Sequence, residues 1–209
     1  MLNNFLKTLN EELSLELKWR YKEIGNIKQI YKENIISEKI FNVFRIRLNE
    51  QSKFILRNGI LILYAHWEGY FKFCLQTINS KLDFMYVDLN KIDNSLLSLL
   101  YKDKHTLKYK NKKVLFEEIV IDTGSNLDWK RLEKLLDIYN FNKRQFKKYE
   151  REINQLVKIR NGIAHGENAY HFDDYQSISK YIIAVLNLML ISRLNTINFF
   201  KLKKYQKRK

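Results

Sequence analysis

No proline occurs anywhere in the 209-residue chain, and glycine occurs only six times. Proline removes a backbone donor and breaks helix interiors, and glycine carries the largest backbone entropy cost, so a chain nearly free of both can run in long helices. The abundance of Leu, Ile, Lys, Glu and Asn points the same way. A chain of this length can bury one sizeable core. The expected organisation is a single all-α domain over 1–200, followed by a frayed, disordered tail over 201–209 that holds six basic residues.

The apolar spacing gives the elements. Leu2, Leu6, Leu9, Leu13, Leu17, Tyr21, Ile24, Ile27 and Tyr31 recur at three and four residues, which is one face of a long amphipathic helix. A second helical pattern is expected over about 38–82, and its stretch from Ile60 through Leu63, Tyr64, His66, Trp67 and Glu68 to Phe71 is apolar on nearly all sides. That marks it as the central, most buried helix. Residues 84–113 lose the regularity and fill with lysines, so they read as a basic, exposed insertion; 114–121 fits a short strand or a helix equally well. Ser125 and Asp128 form a capping-box pattern before a helix over 127–139, and Asn142 can cap the next, which carries Phe146, Tyr149, Ile153, Leu156 and Ile163 and is closed by Gly166. Asp173 with Gln176 resembles a further cap before a last apolar helix over 174–200. A bundle of five to six helices around one core is the simplest account.

The formal net charge is +15, from 38 Lys and Arg against 23 Asp and Glu. Such a surplus favours a polyanionic partner through phosphate contacts and counterion release, without separating RNA, DNA or an anionic membrane. Cys74 is the sole cysteine, so neither an internal disulfide nor a thiolate-rich zinc site can form, and a reducing, cytoplasmic setting fits best. The start Met1-Leu2-Asn3-Asn4-Phe5 lacks the pattern of a signal peptide. The longest apolar stretches, 60–65 and 184–191, fall short of the roughly 18 residues of a membrane helix, so no membrane partner is expected.

Arg160 is the anomaly. Its helical neighbours Leu156, Val157, Ile163 and Ala164 are all apolar. A guanidinium in such a patch needs a carboxylate, a phosphate or another chain, because an isolated buried charge costs several kcal/mol. A structural ion pair with Glu68 or Glu152, or an arginine that snorkels to water, is the bland alternative. Asn161 and His165 share a face, where the amide could hold the imidazole in one tautomer. Arg160 and His165 point roughly 140° apart on a regular helix. One chain then closes both around a phosphate only if Gly162 and Gly166 let the last turn deform; otherwise a two-fold dimer brings two copies of the segment together. His66 and Glu68 read either as satisfied core residues or as supporting residues of the same site. His66-Trp67-Glu68 superficially matches a deaminase zinc motif, but the paired cysteines and the proline that motif requires are absent.

The stretch from Leu156 through Arg160, Asn161 and His165 to Gly166 resembles the signature of the HEPN superfamily (higher eukaryotes and prokaryotes nucleotide-binding): arginine, a polar residue, and histidine after four to six intervening positions. The helix around Tyr64, His66, Trp67 and Glu68, and Thr123-Gly124-Ser125-Asn126-Leu127 before a short helix, are similar to the corresponding parts of the MAE-type and RiboL-PSP HEPN-like nucleases of bacteria. With helix order included, the likeness spans about residues 35–195. It implies a dimerising helical bundle that cuts RNA without metal or other cofactor at a cleft made by two motifs. On that template Arg160 binds the scissile phosphate, His165 moves protons, Asn161 orients His165, and Glu68 lies near the cleft and anchors Arg160. The implied setting is a toxin–antitoxin or anti-phage effector restrained by an antitoxin or neighbouring regulatory protein. One departure is the tyrosine that receives a nucleotide in HEPN toxins silenced by a nucleotidyltransferase antitoxin. It stands two residues after the histidine there, where this chain has Glu167, and the nearest tyrosine is Tyr170.

Two other classes compete with an endoribonuclease. One is a non-catalytic HEPN-like module that binds RNA or a nucleotide through Arg160 and His165. The other is a basic helical DNA-binding or scaffold protein whose lysines merely solvate exposed faces. His105 and His171 carry no assigned role.

Overall fold

The computed structural model describes residues 2–43, 50–85, 89–102, 116, 119–124, 126–167 and 175–207. Among these the chain is all-α, with helices α1 (Leu2–Val43), α2 (Glu50–Phe84), α3 (Asn94–Lys102), α4 (Trp129–Ile138), α5 (Lys143–Lys147), α6 (Glu150–Ala164) and α7 (Tyr175–Lys201). Among the described residues the bundle has seven α-helices, where five or six were expected. The long helices α1, α2 and α7 pack on one another, and α6 closes onto α2 and α7.

The apolar stripe of α1 faces inward from Leu9 through Leu13, Leu17, Ile24 and Ile27 to Tyr31, while Leu2 at its start lies exposed. Helix α1 continues to Val43, so 38–43 extend the first helix instead of opening the second. Helix α2 is central, as expected: Ile60, Leu63, Tyr64, Trp67, Tyr70, Phe71, Cys74, Leu75 and Ile78 are all buried, and Trp67 and Phe71 meet Phe146 of α5 edge-on or tilted. Burial pushes the Cys74 thiol up to about 12, which leaves it a small apolar filler and not a nucleophile. Two buried tyrosine hydroxyls are paired along the same seams. Tyr70 donates to the Leu13 carbonyl at 3.0 Å and Tyr139 to Asn79 Oδ1 at 2.9 Å, which ties α1 and the end of α4 to α2.

Helix α7 is apolar enough and long enough over Ile178–Lys201 to cross a membrane by length and composition, although its longest unbroken apolar run is short. Half of its most apolar window is buried inside the bundle, with Val185, Leu188, Met189 and Phe199 in the core. A helix packed on several neighbours is apolar on several sides for that reason alone.

Three expectations are corrected. Part of the supposed exposed insertion over 84–113 is structured: a 3₁₀ turn (Leu89–Lys91) leads into α3, and Ile92 and Leu96 are fully buried. The lysine-rich residues 103–113 lie outside the described residues. The tail is not frayed through 207, because Tyr205 is buried and backbone hydrogen bonds run from Asp93 N–H to Tyr205 O (2.8 Å) and from Lys207 N–H to Lys91 O (2.9 Å). Each misread segment therefore secures the other. The helix expected to run from Asn142 to Gly166 is two: Asn142 caps the five-residue α5 through Arg144 N–H, and α6 begins afresh at Glu150 with Glu150 and Glu152 in its first turn, where acidic side chains suit the helix dipole. Of the 114–121 segment, Phe116 is buried and 119–121 are neither strand nor helix. The proposed cap at Asp173 and the tyrosine at 170 lie outside the described residues, as does Ser125.

Candidate active site

The site builds around the end of α6. Its buried face, Ile153, Leu156, Ile159 and Gly162, lies on the core and leaves Arg160 half-buried at the edge. Of the apolar neighbours read from the helix, Leu156 is buried in the core, Val157 and Ile163 pack against it, and Ala164 is exposed. The arginine has no carboxylate partner among the described residues. Its Nη1 donates instead to two amide oxygens, Asn161 Oδ1 at 2.9 Å and Asn126 Oδ1 at 3.2 Å, and its guanidinium carbon lies 5.9 Å from the centre of the Tyr64 ring. Neutral acceptors relieve desolvation without cancelling the charge, so the guanidinium keeps its full attraction for an anion.

Asn126 reaches Arg160 from a segment 34 residues away, and the described residues of that segment are moored by several hydrogen bonds. The Asp122 carboxylate accepts from Gly124 N–H at 2.6 Å in an Asx-type turn. The Thr123 hydroxyl donates to Glu68 Oε1, and Leu127 N–H donates to the Tyr64 hydroxyl at 2.6 Å. Arg131 on α4 donates from Nη1 to the carbonyls of Asn126 (2.9 Å) and Thr123 (3.4 Å). Gly124 adopts φ +62, and a Cβ built on it would collide with the Arg131 guanidinium, so both backbone shape and space call for glycine there. Asp128, not Ser125, then caps α4 by accepting from Arg131 N–H at 2.8 Å.

Glu68 and Tyr64 lie one turn apart on α2 and face this segment. Glu68 accepts from Thr123 and sits 3.3 Å from Lys72 Nζ, so it holds the 123–127 segment and does not touch Arg160 directly, contrary to the anchor expected of it. Burial, with Glu68 alongside, pushes the Tyr64 hydroxyl well above the usual tyrosine range, which keeps it protonated.

His66 points elsewhere. Two residues from Tyr64, it faces the opposite side of α2, packs edge-on against Trp19 (5.4 Å between ring centres) and has its Nε2 3.0 Å from a Glu23 carboxylate oxygen on α1, without the alignment of a hydrogen bond. Burial, reinforced by Arg20 and opposed by Glu23, lowers its pKa below 6.5. The structure thus separates His66 from Arg160.

His165 is the C-cap of α6 and is exposed. Its N–H bonds the Asn161 carbonyl at 2.9 Å, and Glu167 N–H returns to Gly162 O with Gly166 at φ +82, a Schellman ending. The helix stays α-helical through Ala164, and ideal helix geometry sets positions 160 and 165 roughly 140° apart about its axis. Asn161 spends its Oδ1 on Arg160, not on the imidazole. Arg57 of α2 donates to the Glu167 carbonyl at 3.0 Å and holds the chain just beyond His165.

A cavity of about 610 Å³ opens on the α3–α4 side of the 119–124 segment, lined by Ile119, Ile121, Arg131, Leu135 and Ile138 among others, and it includes neither Arg160 nor His165. Among the described residues no three His, Cys, Asp or Glu side chains gather as a metal site would require.

Three short stretches far apart in sequence, 64–68, 123–127 and 160–165, thus meet at one helix end, and together with the helix order they define an all-α HEPN-like module. The family model described as RiboL-PSP-HEPN matches residues 15–197, and the chain belongs to that family. That membership points to a nuclease-like or RNA-related module. Comparison with curated proteins and with solved structures gives no match.

Proposed function

We propose that this protein is a metal-independent endoribonuclease whose site is completed by a second copy of the chain. The observation that carries the reading is Arg160: a half-buried guanidinium oriented by neutral amides, uncompensated by any carboxylate among the described residues, on the same helix end as an exposed histidine. An arginine prepared in this way suits a phosphate, whose charge it can match through two parallel hydrogen bonds.

In the proposed reaction Arg160 holds the scissile phosphate and stabilises charge on its oxygens. His165 takes the proton from the ribose 2′-hydroxyl, the 2′-oxygen attacks phosphorus in line, and the bond from phosphorus to the 5′-oxygen breaks. A second histidine, from the partner copy, or a water gives the leaving oxygen its proton. The products are a 2′,3′-cyclic phosphate and a 5′-hydroxyl, and DNA is spared for want of a 2′-hydroxyl. The regular last turn of α6 supports the dimeric form, since one chain directs Arg160 and His165 roughly 140° apart. Glu68 and Asn161 take supporting roles through the 123–127 segment and Arg160, and His66 takes none. In this reading the enzyme is a cytoplasmic toxin or anti-phage effector restrained by a partner protein.

One observation favours a non-catalytic RNA- or nucleotide-binding module instead: the His165 imidazole has no hydrogen-bond partner among the described residues to fix its tautomer. The deciding experiment incubates wild type, Arg160→Ala and His165→Ala with single-stranded RNA in excess chelator. Cleavage by wild type alone supports the enzyme. Binding without cleavage, weakened by Arg160→Ala, supports the module. Binding to duplex DNA that neither substitution alters points to a basic scaffold protein.

A further inference from the structure

Arg160 is held by one nitrogen only. Both Asn126 Oδ1 (3.2 Å) and Asn161 Oδ1 (2.9 Å) accept from Nη1, and a guanidinium Nη carries two hydrogens, so that nitrogen is saturated. Nε and Nη2 have no acceptor among the described residues. The two amides must present oxygen, because a guanidinium offers donors alone. Asn161 is the arginine's immediate neighbour on α6 and moves with it, whereas Asn126 belongs to a separate segment fixed by Arg131, Tyr64 and Glu68. The geometry points to Asn126 as the positioning residue for Arg160: it pins Nη1 from outside the helix so that the side-on edge, Nε with Nη2, is the one turned to a phosphate oxygen pair.

This rests on the nuclease reading for its consequence in catalysis, but the pinning itself is separately measurable. Restricted rotation about the Cζ–Nη1 bond can be followed by NMR in protein labelled with ¹⁵N-arginine, with the signal assigned through Arg160→Lys. In wild type the Arg160 Nη1 protons should be individually resolved and slow to exchange. Asn126→Ala should release them, and Asn126→Asp, which keeps an acceptor oxygen at the same place, should hold them. For RNA cleavage, Asn126→Ala should lower kcat by about ten-fold or more at nearly constant KM, the size expected for losing a hydrogen bond to a charged group. Circular dichroism and the unfolding midpoint report whether each variant keeps its fold, and Asn126→Asp carries the comparison if the alanine variant does not. Identical Arg160 Nη behaviour in wild type and Asn126→Ala would overturn the assignment, as would wild-type kcat in a folded Asn126→Ala enzyme. A wild type inert toward RNA, with Nη1 held and then released by Asn126→Ala, instead removes the nuclease reading and keeps the positioning role.

Discussion

The Tyr64 hydroxyl on α2 accepts the Leu127 N–H at 2.6 Å across 63 residues of sequence, and both residues are buried. Leu127 immediately follows the asparagine that holds Arg160, so this one bond sets the height of the 123–127 segment above α2. Tyr64→Phe keeps the ring and leaves a buried N–H unpaired, at a cost of about 1–3 kcal/mol. The expected result is a lower urea midpoint with unchanged helix content, together with reduced RNA cleavage. Unchanged stability and activity would show that the bond does not govern the segment.

Gly124 and Arg131 form a second coupled pair. At φ +62 an alanine is strained by about 1–2 kcal/mol, and its methyl would also displace the Arg131 guanidinium from the carbonyls of Thr123 and Asn126. Gly124→Ala should therefore destabilise more in wild type than in an Arg131→Ala background, where only the backbone strain remains. A double-mutant cycle measures the difference, and strict additivity would remove Arg131 from the account.

His66 gives a pH test. Its folded pKa lies below 6.5, with burial as the first cause, so the folded state prefers the neutral ring. The unfolded chain then binds the proton first, and the stability contributed by neutral His66, fully present above 6.5, is lost as pH falls through 6.5 toward the folded pKa. Wild type should lose more stability than His66→Gln between about pH 7.5 and pH 5, as read from urea midpoints. Since His66 faces Trp19 and Glu23 and not Arg160, the variant should still cut RNA; loss of cleavage in a stable variant would return His66 to the site.

Much of this fold could be read from spacing because α1 has one strongly apolar face and α2 is apolar on most of its sides. The stripe from Leu9 to Tyr31 and the run around Trp67 are where periodicity and burial coincide. Helix α3 is hard to read because its short apolar pattern, with Leu96 buried, adjoins the lysine run over 102–113, whose composition reads as solvated. The tail is hidden for a related reason: among its described residues Tyr205 alone is buried, and its ties to 91, 93 and 140 are hydrogen bonds to or from backbone groups, which leave no mark on apolar spacing. At the site, the apolar surroundings of Arg160 demand a partner, and the two amide oxygens it finds were not among the carboxylate, phosphate or second chain that its chemistry suggests. Nothing in local spacing could have supplied Asn126, which reaches the arginine only because the turn at Gly124 and the Arg131 clamp bring it there. The Thr123-Gly124 pair is the one signal of this tether in the sequence, and it carries the family resemblance rather than any spacing pattern.

The most direct test of the central claim uses a DNA strand carrying a single ribonucleotide, incubated with wild type, Arg160→Ala and His165→Ala in excess chelator. Wild type should cut only on the 3′ side of the ribonucleotide and leave a 2′,3′-cyclic phosphate, and neither variant should cut. Scission at deoxyribonucleotides, a 3′-hydroxyl end, or cleavage that persists without Arg160 or His165 would contradict the account.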